Sequence, residues 1–156
     1  MDVSDAYRPP KADISGEPSG PGAGAKLYSP GQVAGATFLG SPIAGALLIA
    51  SNFRVLGAPR SQRNAIIAGV AATLACMGLS FILPKHFPGV VIPIAYTIAL
   101  RAIANGAQGD AYREHIASGG LKRSNGTVVG IGLACLVAIV ALTLTAFMLF
   151  DRSSDS

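Results

Sequence analysis

The sequence predicts an all-α integral membrane protein, with four transmembrane helices in a bundle behind a disordered N-terminal tail. Two observations carry this. Of the 156 residues, 51% are hydrophobic and only 13% charged, against about 25% charged in soluble domains. The charges are also clustered, leaving long uncharged tracts, and a run of about 18 or more apolar residues reads as a transmembrane helix. An ordinary soluble enzyme domain is therefore excluded. A chain of this length is expected to form one domain, which leaves no room for a separate catalytic unit.

Residues 1–27 interleave Asp2, Asp5, Asp13 and Glu17 with Arg8, Lys11, Pro9, Pro10, Pro18 and Pro21. Such a segment buries too little apolar surface to offset its chain entropy and is expected to be disordered. It lacks the basic and apolar regions of a cleavable signal peptide, so the expectation is a tail that stays attached. The transmembrane domain is expected over 28–150, followed by a short polar tail at 151–156.

The first span is expected at about 31–52. Ser29-Pro30 is a natural helix start, because proline is tolerated in a first turn. Gly31 with Gly35, Ala36 with Gly40, and Ser41 with Gly45 form small-xxx-small pairs that allow another helix to approach closely. Pro42 removes a backbone hydrogen bond and should bend the helix near its middle. Gly31, Gly35, Gly40, Ser41, Pro42 and Gly45 are thus candidates for a packing seam or a hinge. The second span, about 64–84, offers a smooth alanine- and glycine-rich face, and the short turn from Lys85 to Gly89 requires an antiparallel neighbour.

The third span is expected at about 87–106. Only fourteen uncharged residues separate His86 from Arg101, about 21 Å of helix against a hydrocarbon core of about 30 Å. Extension past Arg101 solves the length, with the guanidinium snorkelling to the headgroups. Residues 107–125 are polar, with a short surface helix expected to stop at Gly119-Gly120. The fourth span, about 127–150, is twenty-four residues without a charge.

Four spans would place the first and third loops on one face. Counting Arg54, Arg60, Arg63, Arg101, Arg113, Lys122 and Arg123 there against Lys26, Lys85 and Arg152 opposite, the positive-inside rule puts those loops in the cytoplasm and both termini outside. The net charge of +4 reads as topology rather than nucleic-acid affinity.

Little chemistry is legible. No acidic residue lies in a span, which argues against an ion-coupled transporter. His115 follows Glu114 directly and projects about 100° from it on a helix, so Asp110, Glu114 and His115 make a poor metal set. There is no GxSxG motif or serine triad. Cys76 and Cys135 lie in apolar tracts and read as small hydrophobes. The expectation is a non-enzymatic protein without cofactor or metal. The intramembrane polar residues, among them Gln32, Thr37, Ser41, Thr73, Ser80, Tyr96 and Thr97, read mainly as packing groups. Ser124, before Asn125-Gly126-Thr127, reads as the cap of the fourth helix.

The stretches Tyr28-Ser29-Pro30, Gln32-Val33, Ala36 to Pro42, Ala44-Gly45 and Asn52 to Gly57, with Gln108, His115, Gly119-Gly120 and Ser124 later, resemble a pattern found in small uncharacterised bacterial four-helix inner-membrane proteins. The resemblance implies no activity. It singles out Asn52, Arg54, Gln108, His115 and Ser124, expected to form one cytoplasmic surface. The function expected is a structural, accessory or immunity-like subunit, with the lipid bilayer, a membrane-protein partner or a second copy as its partners. The rival is a small transport or channel component with a path near Gly40–Pro42 and Tyr96.

Overall fold

A computed structural model describes residues 24–84 and 86–154. In chain order these form β1 (Lys26–Leu27), α1 (Pro30–Val55), α2 (Pro59–Ile82), α3 (Val91–Ala117), β2 (Leu121–Lys122) and α4 (Asn125–Ser154). Most of the expected disordered tail, residues 1–23, lies outside the described residues.

α1 begins where the sequence indicates. The Ser29 hydroxyl accepts the Gln32 backbone N–H at 3.2 Å, and the Gln32 side chain accepts the Ser29 N–H at 3.0 Å. This capping box satisfies two otherwise orphaned donors, and Pro30 supplies the fixed φ of a first helical residue.

The helix does not run straight through. Ser41 has φ 80° and ψ 173°, a region used almost only by glycine and costing about 1–3 kcal/mol elsewhere. Pro42 contributes directly, because its ring drives the preceding residue out of the helical region. The consequence is a reversal, not the gentle bend expected. The Tyr28 N–H donates to Asn52 Oδ1 at 2.8 Å, and Asn52 Nδ2 donates to the Tyr28 carbonyl at 2.8 Å. Twenty-four residues of straight helix would hold these groups about 36 Å apart. α1 is therefore a helical hairpin with arms 30–40 and 42–55, and the single crossing expected at 31–52 is corrected.

The arms touch along their length. Gly45 lies so close to Thr37 that no Cβ could be added there, and Thr37, fully buried, donates its hydroxyl to the Val33 carbonyl at 2.7 Å. Gly57, at φ 70°, closes the second arm and Pro59 opens α2.

The other helices pack around this hairpin and hardly on one another. α2 runs antiparallel to the second arm, with Gly69 pressed on Ala46. Where the reversal frees the Ile43 N–H, the Thr73 hydroxyl accepts it at 3.1 Å while donating to the Gly69 carbonyl at 2.8 Å. α3 buries Ala104 and Gln108. Gln108 Nε2 donates to the Ile49 carbonyl at 2.8 Å, and its Oε1 accepts from Asn52 Nδ2 at 2.9 Å. α4 lies along the first arm, its Gly132 backbone in contact with Gly40.

The segments that lead into α1 and α4 are tied together at the open end of the hairpin. β1 and β2 pair in parallel, Lys26 opposite Leu121 and Leu27 opposite Lys122. Arg123 adds a backbone bond to the Leu27 carbonyl at 3.0 Å and places its guanidinium 5.4 Å from the Tyr28 ring centre.

Several expected boundaries move. Three helices, Pro30–Val55, Pro59–Ser80 and Asn125–Thr145, are long and apolar enough to cross a membrane by length and composition alone, and the first of these is folded back at Ser41. The third expected span and the surface helix after it are one continuous α3, because nothing between Gly106 and Ala107 breaks the helix; Arg101 therefore lies well inside it, exposed. α4 continues to Ser154, into the segment expected as a polar tail. Burial separates core from shell: 61% of the most apolar stretch of α1 is buried, against 11% in α2 and in α4.

Asn52→Ala removes both partners of Tyr28 and one of Gln108, and should destabilise the protein by at least about 3 kcal/mol, given about 1–3 kcal/mol for each of these buried groups left unpaired. Denaturation in a mixed SDS and nonionic-detergent titration, followed by circular dichroism, measures this. Gln108→Ala should cost less, and the double variant less than the sum, as expected for one connected network.

Candidate functional site

Two polar groupings stand out, one at each end of the hairpin. At the open end, Gln32 Nε2 donates to the Arg123 carbonyl and to Asn125 Oδ1, each at 2.7 Å, joining the first arm to the start of α4. His115 Nε2 lies 3.0 Å from the Ala25 carbonyl oxygen, and its ring packs so tightly on Gly120 that a side chain there would clash. With the Asn52–Gln108 bridge, these contacts form a collar of buried amides and an imidazole around the chain entering at Leu27 and Tyr28.

The five residues expected to share a cytoplasmic surface accordingly separate. Asn52, Gln108 and His115 are 2%, 3% and 5% exposed and belong to the collar, not to a surface. The reason is that each is used to satisfy backbone groups of a chain that folds back on itself. Arg54 and Ser124 remain exposed, and the Ser124 hydroxyl accepts the Gly126 N–H at 3.2 Å, a capping role at the start of α4.

The small residues of the first expected span also divide. Gly40 serves the approach to α4, and Gly45 the contact between the two arms; a Cβ at Gly35 would meet nothing, and one at Gly31 only its own Ser29 hydroxyl. Ser41 and Pro42 form the tip. They border a cavity of about 240 Å³ whose walls include Thr73, Cys76 and Ser80 of α2, Tyr96 of α3 and Ile139 of α4. Gly40–Pro42 and Tyr96, widely separated in sequence, are thereby brought to one place.

The polar chemistry at this tip is uneven. Thr73 and Ser80 give their protons to carbonyls of their own helix. The Ser41 hydroxyl, and that of Thr97 beside Tyr96, are buried without a hydrogen-bond partner among the described residues. An unpaired buried hydroxyl costs about 1–3 kcal/mol. Among the described residues the lining carries no Asp, Glu, His, Lys or Arg. These residues can hydrogen-bond a small uncharged molecule and include no charged group for an ion.

Elsewhere Asp110 pairs with Arg113 on the exposed face of α3, and Cys76 and Cys135 are free thiols. Among the described residues no three His, Cys, Asp or Glu side chains converge as a metal site. Comparison with protein-family models, with curated proteins and with solved structures gives no match, so the functional reading rests on the residues of this chain.

Proposed function

We propose that the chain is a non-enzymatic, multi-pass protein of a bacterial inner membrane, acting as a structural or accessory subunit that packs against a partner within the bilayer. In this reading α2, α3 and α4 cross the membrane, and α1 enters and leaves on one side. An irregular break such as that at Ser41 is tolerated at membrane depth only when protein surrounds it, and here α2, α3 and α4 do so. α3 must cross because it joins the far end of α2 to the near end of α4, with Arg101 exposed partway along it.

The open end carries Lys26, Arg54, Arg60, Arg63, Arg113, Lys122 and Arg123, whereas Arg152, near the end of α4, belongs to the other. The positive-inside rule assigns the open end to the cytoplasm. Loops one and three stay inside, as the sequence implies, but the N-terminal segment moves inside with them. In cells lacking other reactive cysteines, a cysteine at position 26 or 57 should resist a membrane-impermeant maleimide, and one at position 86 should react. Labelling at 26 together with 86, and not at 57, would restore a straight first span.

One observation carries the accessory reading: α2, α3 and α4 rest on α1 and hardly on each other, so their outward apolar faces are unpartnered within the chain. Leu74, Ile98 and Val137 are 59%, 63% and 67% exposed. A photo-crosslinking amino acid at each of these positions in living cells should yield a discrete adduct with a membrane protein or a second copy from at least one. Lipid adducts alone from all three would overturn it.

The tip cavity favours a second reading, a small transport or channel component for an uncharged solute. Ser41, Pro42 and Tyr96 would line its path. Proteoliposomes tested with water, glycerol and urea should then show flux that Pro42→Ala and Tyr96→Phe change; flux equal to empty vesicles for all three sinks this reading.

A further inference from the structure

A groove of about 430 Å³ runs between α2 and α3, floored by the second arm of α1. It exists because α2 turns small residues, Ala65, Ala68 and Ala72, toward a neighbour that does not close on it. Leu100 and Ile103 of α3 form the opposite wall, so the interior is almost wholly apolar. Its size falls in the range of about 300–1,000 Å³ typical of small-molecule sites.

The groove has direction. Its lining on α2 extends from Ser61 to Ala72, about 16 Å of helix, which matches one leaflet of a hydrocarbon core about 30 Å thick. The polar residues Ser61 and Asn64 lie at the end nearest the start of α2. Arg60 precedes Asn64 by one turn, and residues four apart share a face. Arg63 is on the same turn. The first turn of α2 contains no acidic residue and has no side-chain cap; Pro59 has no N–H and that of Gln62 is bonded to Ala58, so the Arg60 and Ser61 N–H groups are the ones left at the positive end of the helix dipole. Across the groove on α3, Asp110 is already paired with Arg113, which leaves Glu114 as the other carboxylate of that helix.

We propose that the groove holds one acyl chain of an anionic phospholipid from the leaflet on the arginine-rich side, with its phosphate at Arg60 and the first turn of α2. This rests on the membrane reading above. An α-helix, about 10 Å across, is the poorer occupant, because the groove between Ala65, Ala68 and Ala72 on one side and Leu100 and Ile103 on the other suits the narrower cross-section of a single acyl chain. A zwitterionic lipid would fill the groove equally but make no use of the basic mouth.

The test uses the full-length protein, purified in a mild detergent and titrated with phosphatidylglycerol or phosphatidylcholine under native mass spectrometry. One phosphatidylglycerol should be retained in preference to phosphatidylcholine. Arg60→Gln should lower that preference about fivefold, in keeping with the contribution of a basic residue near an anionic lipid surface. Ala68→Leu, at an exposed position that fills the groove, should reduce binding of both lipids while leaving the circular dichroism spectrum unchanged. Equal retention of the two lipids, or no effect of either substitution, overturns the proposal, as does capture of a protein helix in the groove. Alkaline carbonate extraction of the same cells separates the two levels: release of the protein from membranes rejects the membrane reading itself, whereas a protein that stays embedded but shows no lipid preference rejects only this site.

Discussion

The architecture depends on a single side chain acting as a peptide group. Asn52 offers Tyr28 a donor and an acceptor at the distances of a backbone pair, so the entering chain is held against the second arm as if by one rung of a sheet. Within a bilayer, hydrophobic burial gives helices little reason to associate, since lipid is as apolar as leucine. Close packing of small residues and a few buried polar bonds must supply the preference. α1 uses both, with Gly45 against Thr37 along the arms and Asn52 at their base.

Once the hairpin is closed, the positions of the other helices follow. The second arm presents Ala46 to Gly69 of α2, the first arm presents Gly40 to Gly132 of α4, and Asn52 draws in Gln108 of α3. These contacts lie on different sides of the hairpin, which is why the outer helices are held apart rather than packed as a conventional bundle. The same arrangement collects the cationic loops at one end. A straight first helix would have carried Lys26 to the other end, weakening the charge asymmetry that the chain displays.

Much of this was legible in the sequence and the decisive feature was not. Helical content, the Ser29 start, the short second turn and the strength of the fourth helix all follow from local composition and capping chemistry. The reversal does not, because hydropathy sums along the chain and carries no direction. A clue was nonetheless present. Thr37 and Gly45 flank Ser41 at equal distance, and Tyr28 and Asn52 lie nearly so, a symmetry about Ser41-Pro42 that a hairpin explains and a continuous helix does not. Gln108 gave no such warning, since its partners, Asn52 and the Ile49 carbonyl, are more than fifty positions away.

The resemblance noted from sequence takes on a different meaning in three dimensions. Its residues are largely those that shape the hairpin: Ser29 and Gln32 start it, Gly40 and Gly45 let it pack, Ser41 and Pro42 turn it, and Asn52, Gln108, His115 and Gly120 fasten its base. A pattern occupied with making the fold leaves those positions little freedom to carry partner chemistry. The partner and lipid contacts proposed above accordingly use surfaces the pattern leaves free, the outward faces of α2, α3 and α4 and the groove between α2 and α3. The tip is the exception. There Ser41 is both a folding determinant and a buried hydroxyl without a partner among the described residues, so the reversal places an unsatisfied polar group beside an open pocket bordered by all three outer helices.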